Sequence, residues 1–219
     1  MKISFFEEFP SKENLSKLRL VKANSVYIAS HGIYEFNSIK KRIKTKAVYW
    51  PVLRKEDGYW ISPFSNSAAL KRIFSEIPKN QEVMLDLEIP LNWLLIIKNM
   101  IYFFKNKKII REFIKSHKAI LCESVFPSNI LRIFGLSYNA RKINMAYTSM
   151  NHFINLKKIH ADKIGIGCIA KGIYGNETIM KPKELENDLR ILEKAGKEAI
   201  IFRLGGLNKE YLNVIRKFT

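Results

Sequence analysis

Carboxylates are scarce in this chain: 219 residues hold 20 Asp and Glu against 38 Lys and Arg, a formal net charge of +18. Yet the stretch VMLDLEIP, residues 83–90, sets Asp86 and Glu88 two apart at the end of an apolar run. On a strand, residues two apart point to the same face. A carboxylate in such a place costs free energy unless it is paired, hydrogen-bonded or protonated. Paired carboxylates held at different pKa values do acid/base work on acetal bonds: one protonates the leaving oxygen and the other serves as base, nucleophile or orienting group.

The elements that must position them alternate along the chain. Eight short β-branched or aromatic runs read as strands: KISFFEE, SVYIASH, AVYWPVL, EVMLDLE, AILCESV, INMAYTS, KIGIGCIA and AIIFRLGG. Helix-like segments separate them: residues 11–21, 34–43, 67–77, an apolar segment running on to 117, then 128–137, 152–160, 181–196 and 208–218. Ser11 is placed as an N-cap, Pro182 suits a first helical turn, and Gly196 follows ILEK as a C-cap. Strand–helix alternation implies right-handed crossovers and a parallel sheet. Eight repeats predict an α/β fold, a compact single (β/α)8 TIM-type barrel over residues 1–219. An open doubly wound sheet would carry a glycine-rich first turn, and FPSKEN has none.

In such a barrel the chemistry sits at the C-terminal strand ends. Glu7, Asp86, Glu88 and Glu123 are the catalytic candidates, each expected to face a shared pocket. Glu8 is expected to point away from Glu7 as a solvated rim residue. The aromatic residues Tyr49, Trp50, Trp60 and Tyr147, with His31 and Arg203, are the candidates for contact with substrate, since aromatic rings stack on the C–H faces of sugars.

The LDLE of residues 85–88 resembles the end of the D-x-x-D-x-D-x-E signature of the family 18 glycoside hydrolases, the chitinase family, and MAYT at 145–148 resembles that family's M-x-Y-D. The resemblance implies that Glu88 is the general acid, that Asp86 orients an N-acetyl group of the substrate which attacks in place of a protein nucleophile, and that Tyr147 holds the carbonyl of that group. Gln81 and Met84 stand where the signature has its first two Asp residues, and Thr148 stands where it has the Asp after the Tyr. The implied activity is glycosidase-like hydrolysis of a carbohydrate without a cofactor.

Other readings use other residues. Gly205 and Gly206 precede the last helix, and Lys171 lies in the preceding loop, as for a phosphate site after strands seven and eight in a phosphosugar isomerase or lyase. Glu7, Asp86, Glu88 and Glu123, with His31, offer oxygen-rich ligation of a divalent metal ion. A non-catalytic barrel would use its basic exterior to bind nucleic acid or a membrane surface. No helix-turn-helix, zinc-finger or RNP-like motif is present, which argues against nucleic acid. Cys122 and Cys168 lie in apolar runs without CxxC spacing and read as reduced core thiols, which with the acidic, leaderless N-terminus suits the cytoplasm. The apolar run IPLNWLLIIKNMIYFF, residues 89–104, is too short to span a bilayer. Its 91–104 portion reads as a helix for homo-oligomer contact or for lying on a membrane surface.

Overall fold

The computed structural model describes residues 1–124 and 128–219. Eight parallel strands lie in chain order and close into a barrel: β1 (Ile3–Glu7), β2 (Val26–Ser30), β3 (Ala47–Pro51), β4 (Glu82–Asp86), β5 (Lys118–Ser124), β6 (Arg141–Met145), β7 (Lys163–Ile166) and β8 (Glu198–Phe202). The α-helices are α1 (Lys12–Ser16), α2 (Ile33–Lys40), α3 (Ser67–Ser75), α4 (Trp93–Asn99), α5 (Phe103–Ser116), α6 (Ser128–Ile133), α7 (Pro182–Lys194) and α8 (Lys209–Ile215). The fold is an α/β TIM-type barrel.

The helix expected over 152–160 does not form; β6 and β7 are joined by loop and a single 3-10 turn, Leu156–Lys158. Two asparagines account for this. The Asn151 side chain accepts from Phe153 N at 3.0 Å and the Asn155 side chain from Lys157 N at 3.1 Å. Such local turns take the backbone donors that a helix would need. Several strands are shorter than their apolar runs. β4 stops at Asp86, leaving Glu88 in the following loop, and LGG at 204–206 is a 3-10 turn. Val125, the last residue of the expected fifth strand, lies outside the described residues.

Contacts divide the chain into two compact units. The first comprises Met1–Ala29, Ile39–Val48 and Ile143–Thr219. Its inward face is set by aromatic packing: the Phe6 ring lies 5.4 Å from Tyr27 and 6.4 Å from Phe202. Gly165 sits against Phe6, where a Cβ would come within 3.2 Å of the ring. At the N-terminal strand ends, Lys163 Nζ bonds Glu198 Oε2 at 3.2 Å and Tyr27 Oη at 3.1 Å, and Ser4 Oγ donates to Glu198 Oε1 at 2.6 Å. The Glu198 carboxylate at this end is thus matched by a cation and a hydroxyl donor. On the outer face, α7 buries Leu185, Leu189 and Leu192 at helical spacing and ends at Gly196, whose φ is +67°.

The second unit comprises Ser30–Ser38 and Tyr49–Lys142. Tyr49 stacks on Phe36 of α2 with centroids 5.0 Å apart, so it faces outward. Tyr49 is paired in register with Val83, and Val83 with Ala119. Strand alternation therefore turns Val83, Leu85, Leu121 and Glu123 outward, and Trp50, Met84, Asp86 and Cys122 inward. Beyond the strands, the Phe74 and Phe113 rings stack at 4.1 Å between α3 and α5.

Candidate functional site

In the second unit Asp86 ends β4 on the inward face, and Glu88 follows two residues on in the loop, half-buried. Asp86 is buried and its carbonyl accepts from Ile61 N at 3.0 Å. The next residue, Leu87, donates to the Cys122 carbonyl at 3.0 Å and bridges Ile61. The backbone carrying Asp86 and Glu88 is thus clamped from both neighbours, and a clamped backbone fixes where the side chains can reach. Trp60 directly precedes Ile61, the residue that donates to the Asp86 carbonyl. The Trp60 carbonyl is held by Ser65 Oγ at 2.8 Å, and Trp60 packs edge-on against Tyr59 at 5.8 Å. Trp50 is buried on the inward face of β3.

Cys122 registers this crowding. Its thiol is driven well above its ordinary pKa, first by burial and then by the charges of Asp86, Glu88 and Glu123. A thiol so surrounded stays protonated and is no nucleophile.

Glu123 does not share the inward face. It pairs with Lys142 at 2.9 Å on the outer side of the wall, and the Tyr138 backbone N–H faces the same carboxylate. Burial raises its pKa more than Lys142 lowers it. Tyr49 also leaves the expected substrate-contact set; its hydroxyl is buried in the helix layer, which pushes its pKa up. His31 is exposed at the end of β2, with Nδ1 3.2 Å from the Val52 carbonyl. It borders a cavity of about 670 Å³ with Arg54, Asp57, Asn66 and Arg72.

In the first unit Glu7 is fully buried on the outward face of β1. Its Oε1 accepts from Phe9 N at 2.9 Å, Asn14 Nδ2 at 3.2 Å and Arg203 Nη1 at 3.4 Å, and its Oε2 accepts from Gly205 N at 2.6 Å. Burial raises the Glu7 pKa, against Arg203 and these donors. Arg203 lies just past the end of β8; its Nε donates to the Lys171 carbonyl at 2.9 Å and the guanidinium lies 4.6 Å from the Phe9 ring centroid. The Lys171 side chain is exposed.

The glycine pair expected to cradle phosphate is already engaged. The Gly205 amide donates to Glu7, Lys17 Nζ bonds the Gly205 carbonyl, and a Cβ on Gly206 would collide with the Ile169 carbonyl at 2.1 Å. The anion held at this turn is the protein's own carboxylate. A phosphate would have to displace a group with four donors.

Glu8 was expected on a solvated rim. Alternation does turn it away from Glu7, but inward, and it is buried. The loop after β7 covers it: a Cβ on Gly172 would meet Glu8 Oε2 at 2.8 Å and Glu177 Oε1 at 2.6 Å, while Gly172 N donates to Glu177 Oε2 at 3.0 Å. Sequence reading passed over Glu177, which sits in an irregular loop with no periodicity to mark it. Glu177 also lies near Cys168, whose thiol burial pushes up to about 12. Tyr147, just past β6 on the inward side, packs against Phe202 at 5.8 Å.

Among the described residues no group of three or more His, Cys, Asp and Glu is arranged to hold a metal ion. The expected ligand set is divided by strand parity, since Glu7 and Glu123 face outward. Neither protein-family models nor curated protein sequences yield a match to this chain.

Proposed function

We propose that this protein acts on a carbohydrate by carboxylate acid/base catalysis at the C-terminal end of β4, with Glu88 as the acid/base and Asp86 as its orienting partner. The observation that carries this reading is the clamped backbone of Asp86–x–Glu88 at the end of β4, with the charges of both carboxylates felt by the buried Cys122 thiol. An acid/base pair of carboxylates works when one keeps its proton to higher pH than the other. That is the property a general acid needs near neutral pH. Trp60, half-buried in the segment that bonds Asp86, is the candidate ring face for a sugar, while Trp50 is buried on the inward face of β3.

The resemblance of LDLE to the family 18 signature refines the proposal to substrates bearing an N-acetyl group. The test is hydrolysis of N-acetylglucosamine oligomers compared with the same oligomers deacetylated. Cleavage of the acetylated set alone, lost in Glu88→Gln and weakened in Asp86→Asn, is the expected result. Cleavage that survives Glu88→Gln would remove Glu88 from the role, and cleavage of both sets would remove the substrate's acetamido group as nucleophile.

A further inference from the structure

We propose that the protein docks on the surface of an anionic lipid bilayer through the exposed apolar face of residues 91–104. The observation is an inverted helix. Trp93, Leu94, Ile97, Met100, Ile101 and Phe104 follow three- and four-residue spacing through α4, a 3-10 turn (Met100–Tyr102) and the start of α5. They form one stripe, and it faces solvent: Trp93 is 63% exposed, Ile101 80% and Phe104 82%. The buried side of the same segment includes polar residues. Asn99 is buried, and fully buried Asn106 donates from Nδ2 to the carbonyls of Pro63 at 3.0 Å and Ser65 at 2.9 Å. A helix packed only for water would show the reverse. A contiguous apolar stripe of this size marks a surface that is covered in use.

Its flanks decide what covers it. Lys98 and Lys105 are exposed, stand seven residues apart and so form a stripe beside the apolar one, and Lys108 continues it. Long lysine stems reach from an apolar face to a charged plane. A bulky apolar stripe with Trp at its edge and lysines along its border is the pattern of a helix lying in a membrane interface. Among the described residues no helix is long and apolar enough to cross a membrane. A second copy of the chain is the poorer occupant. A two-fold contact would bring two lysine stripes, and two molecules of formal charge +18, against each other. Anionic headgroups accept the lysines while the acyl boundary accepts the stripe.

The experiment is co-sedimentation of the full chain with vesicles of phosphatidylglycerol and phosphatidylcholine, and with vesicles of phosphatidylcholine alone, at low and high salt. Binding to the anionic vesicles is expected. Ile101→Ser with Phe104→Ser should weaken it by about tenfold or more. Lys98→Gln and Lys105→Gln should each weaken it by roughly fivefold, an effect that high salt erases. These side chains project into solvent, and thermal unfolding of each variant checks that the fold is kept. Absence of binding to anionic vesicles, or binding unchanged by the Ile101/Phe104 variant, overturns the proposal. So does a concentration-dependent dimer that this variant dissolves, which would assign the stripe to a second copy.

Discussion

Glu7 and Glu88 each end an apolar run that reads as a barrel strand, and they meet opposite fates. Glu7 lies on the outward face of β1, fully buried, and is encircled by donors from Phe9, Asn14, Arg203 and Gly205. Those donors come from the turn after β1, from α1 and from the turn after β8, so the carboxylate ties three segments of the wall together. Glu88 lies in the loop past the end of β4, two residues beyond Asp86, and is only half-buried. The one carboxylate is built into the wall and the other stands beyond the strand. Residue type at a strand end is therefore a poor guide to chemistry until the face is known.

The sharpest way to test that contrast is to change both residues and read both activity and stability. Glu88→Gln is expected to cut turnover by about 10²- to 10⁴-fold, the range for a general acid or base. Its unfolding free energy should shift by no more than about 0.5 kcal/mol, as for a residue outside the packed wall. Turnover on the cleaved oligomer, with a thermal melt of the same sample, checks both. A melt that collapses while activity per folded molecule persists would reverse the roles assigned to the two residues.

Glu7→Ala is expected to behave oppositely. It leaves the Gly205 amide and Arg203 Nη1 without their acceptor in a buried place, while Asn14 Nδ2 keeps the Phe9 carbonyl and Arg203 Nε the Lys171 carbonyl. Removing one partner of a buried pair costs about 3–5 kcal/mol. For a chain of this length that lowers the melting temperature by roughly 10 °C. Denaturant titration of the variant checks it, and a loss below about 1 kcal/mol would mean that water replaces the carboxylate at little cost.

Glu123→Gln is the milder version of the same idea. Lys142, its partner at 2.9 Å, has a side chain 35% exposed and can turn to water once the charge is gone. The expected loss is about 1 kcal/mol, with turnover unchanged. A large fall in turnover would return Glu123 to the catalytic group and break the parity rule.

The eight strands were legible because their apolar runs are short, β-branched and separated by longer segments with helical spacing. The face each strand end presents was only partly so. KISFFEE sets Glu7 and Glu8 next to each other, which forces them apart, but nothing local says which goes inward. That depends on Phe6 meeting Tyr27 and Phe202 across the sheet. The use of the Gly205 amide by Glu7 joins residues at opposite ends of the chain. A local reading sees only a glycine turn before a helix and assigns it to phosphate. The missing helix at 152–160 was obscured for a different reason: apolar spacing favoured a helix while Asn151 and Asn155 had local turns available.

Asp188 tests the comparison at its weakest point, because it is a buried wall carboxylate with far less support than Glu7. It lies on α7, accepts from Thr148 Oγ1 at 2.6 Å, and has its pKa raised to about 6, chiefly by burial, with the charge of Glu184 adding and the Thr148 hydroxyl opposing. The folded protein therefore holds this proton more tightly than the unfolded chain, whose carboxyl titrates near 3.8. The stabilisation from the protonated form is complete below that value and is lost as pH rises through about 6. Asp188→Asn keeps an acceptor for Thr148 and removes the titration. It should raise stability at pH 7 by about 1 kcal/mol, a figure cut down from the full shift because the group keeps some contact with water. At pH 4 variant and parent should melt within a degree or two of each other, about the span of a few tenths of a kcal/mol. If the gain at pH 7 equals the gain at pH 4, the Asp188 charge carries no cost in the fold, and donor count does not set how a wall carboxylate is tolerated.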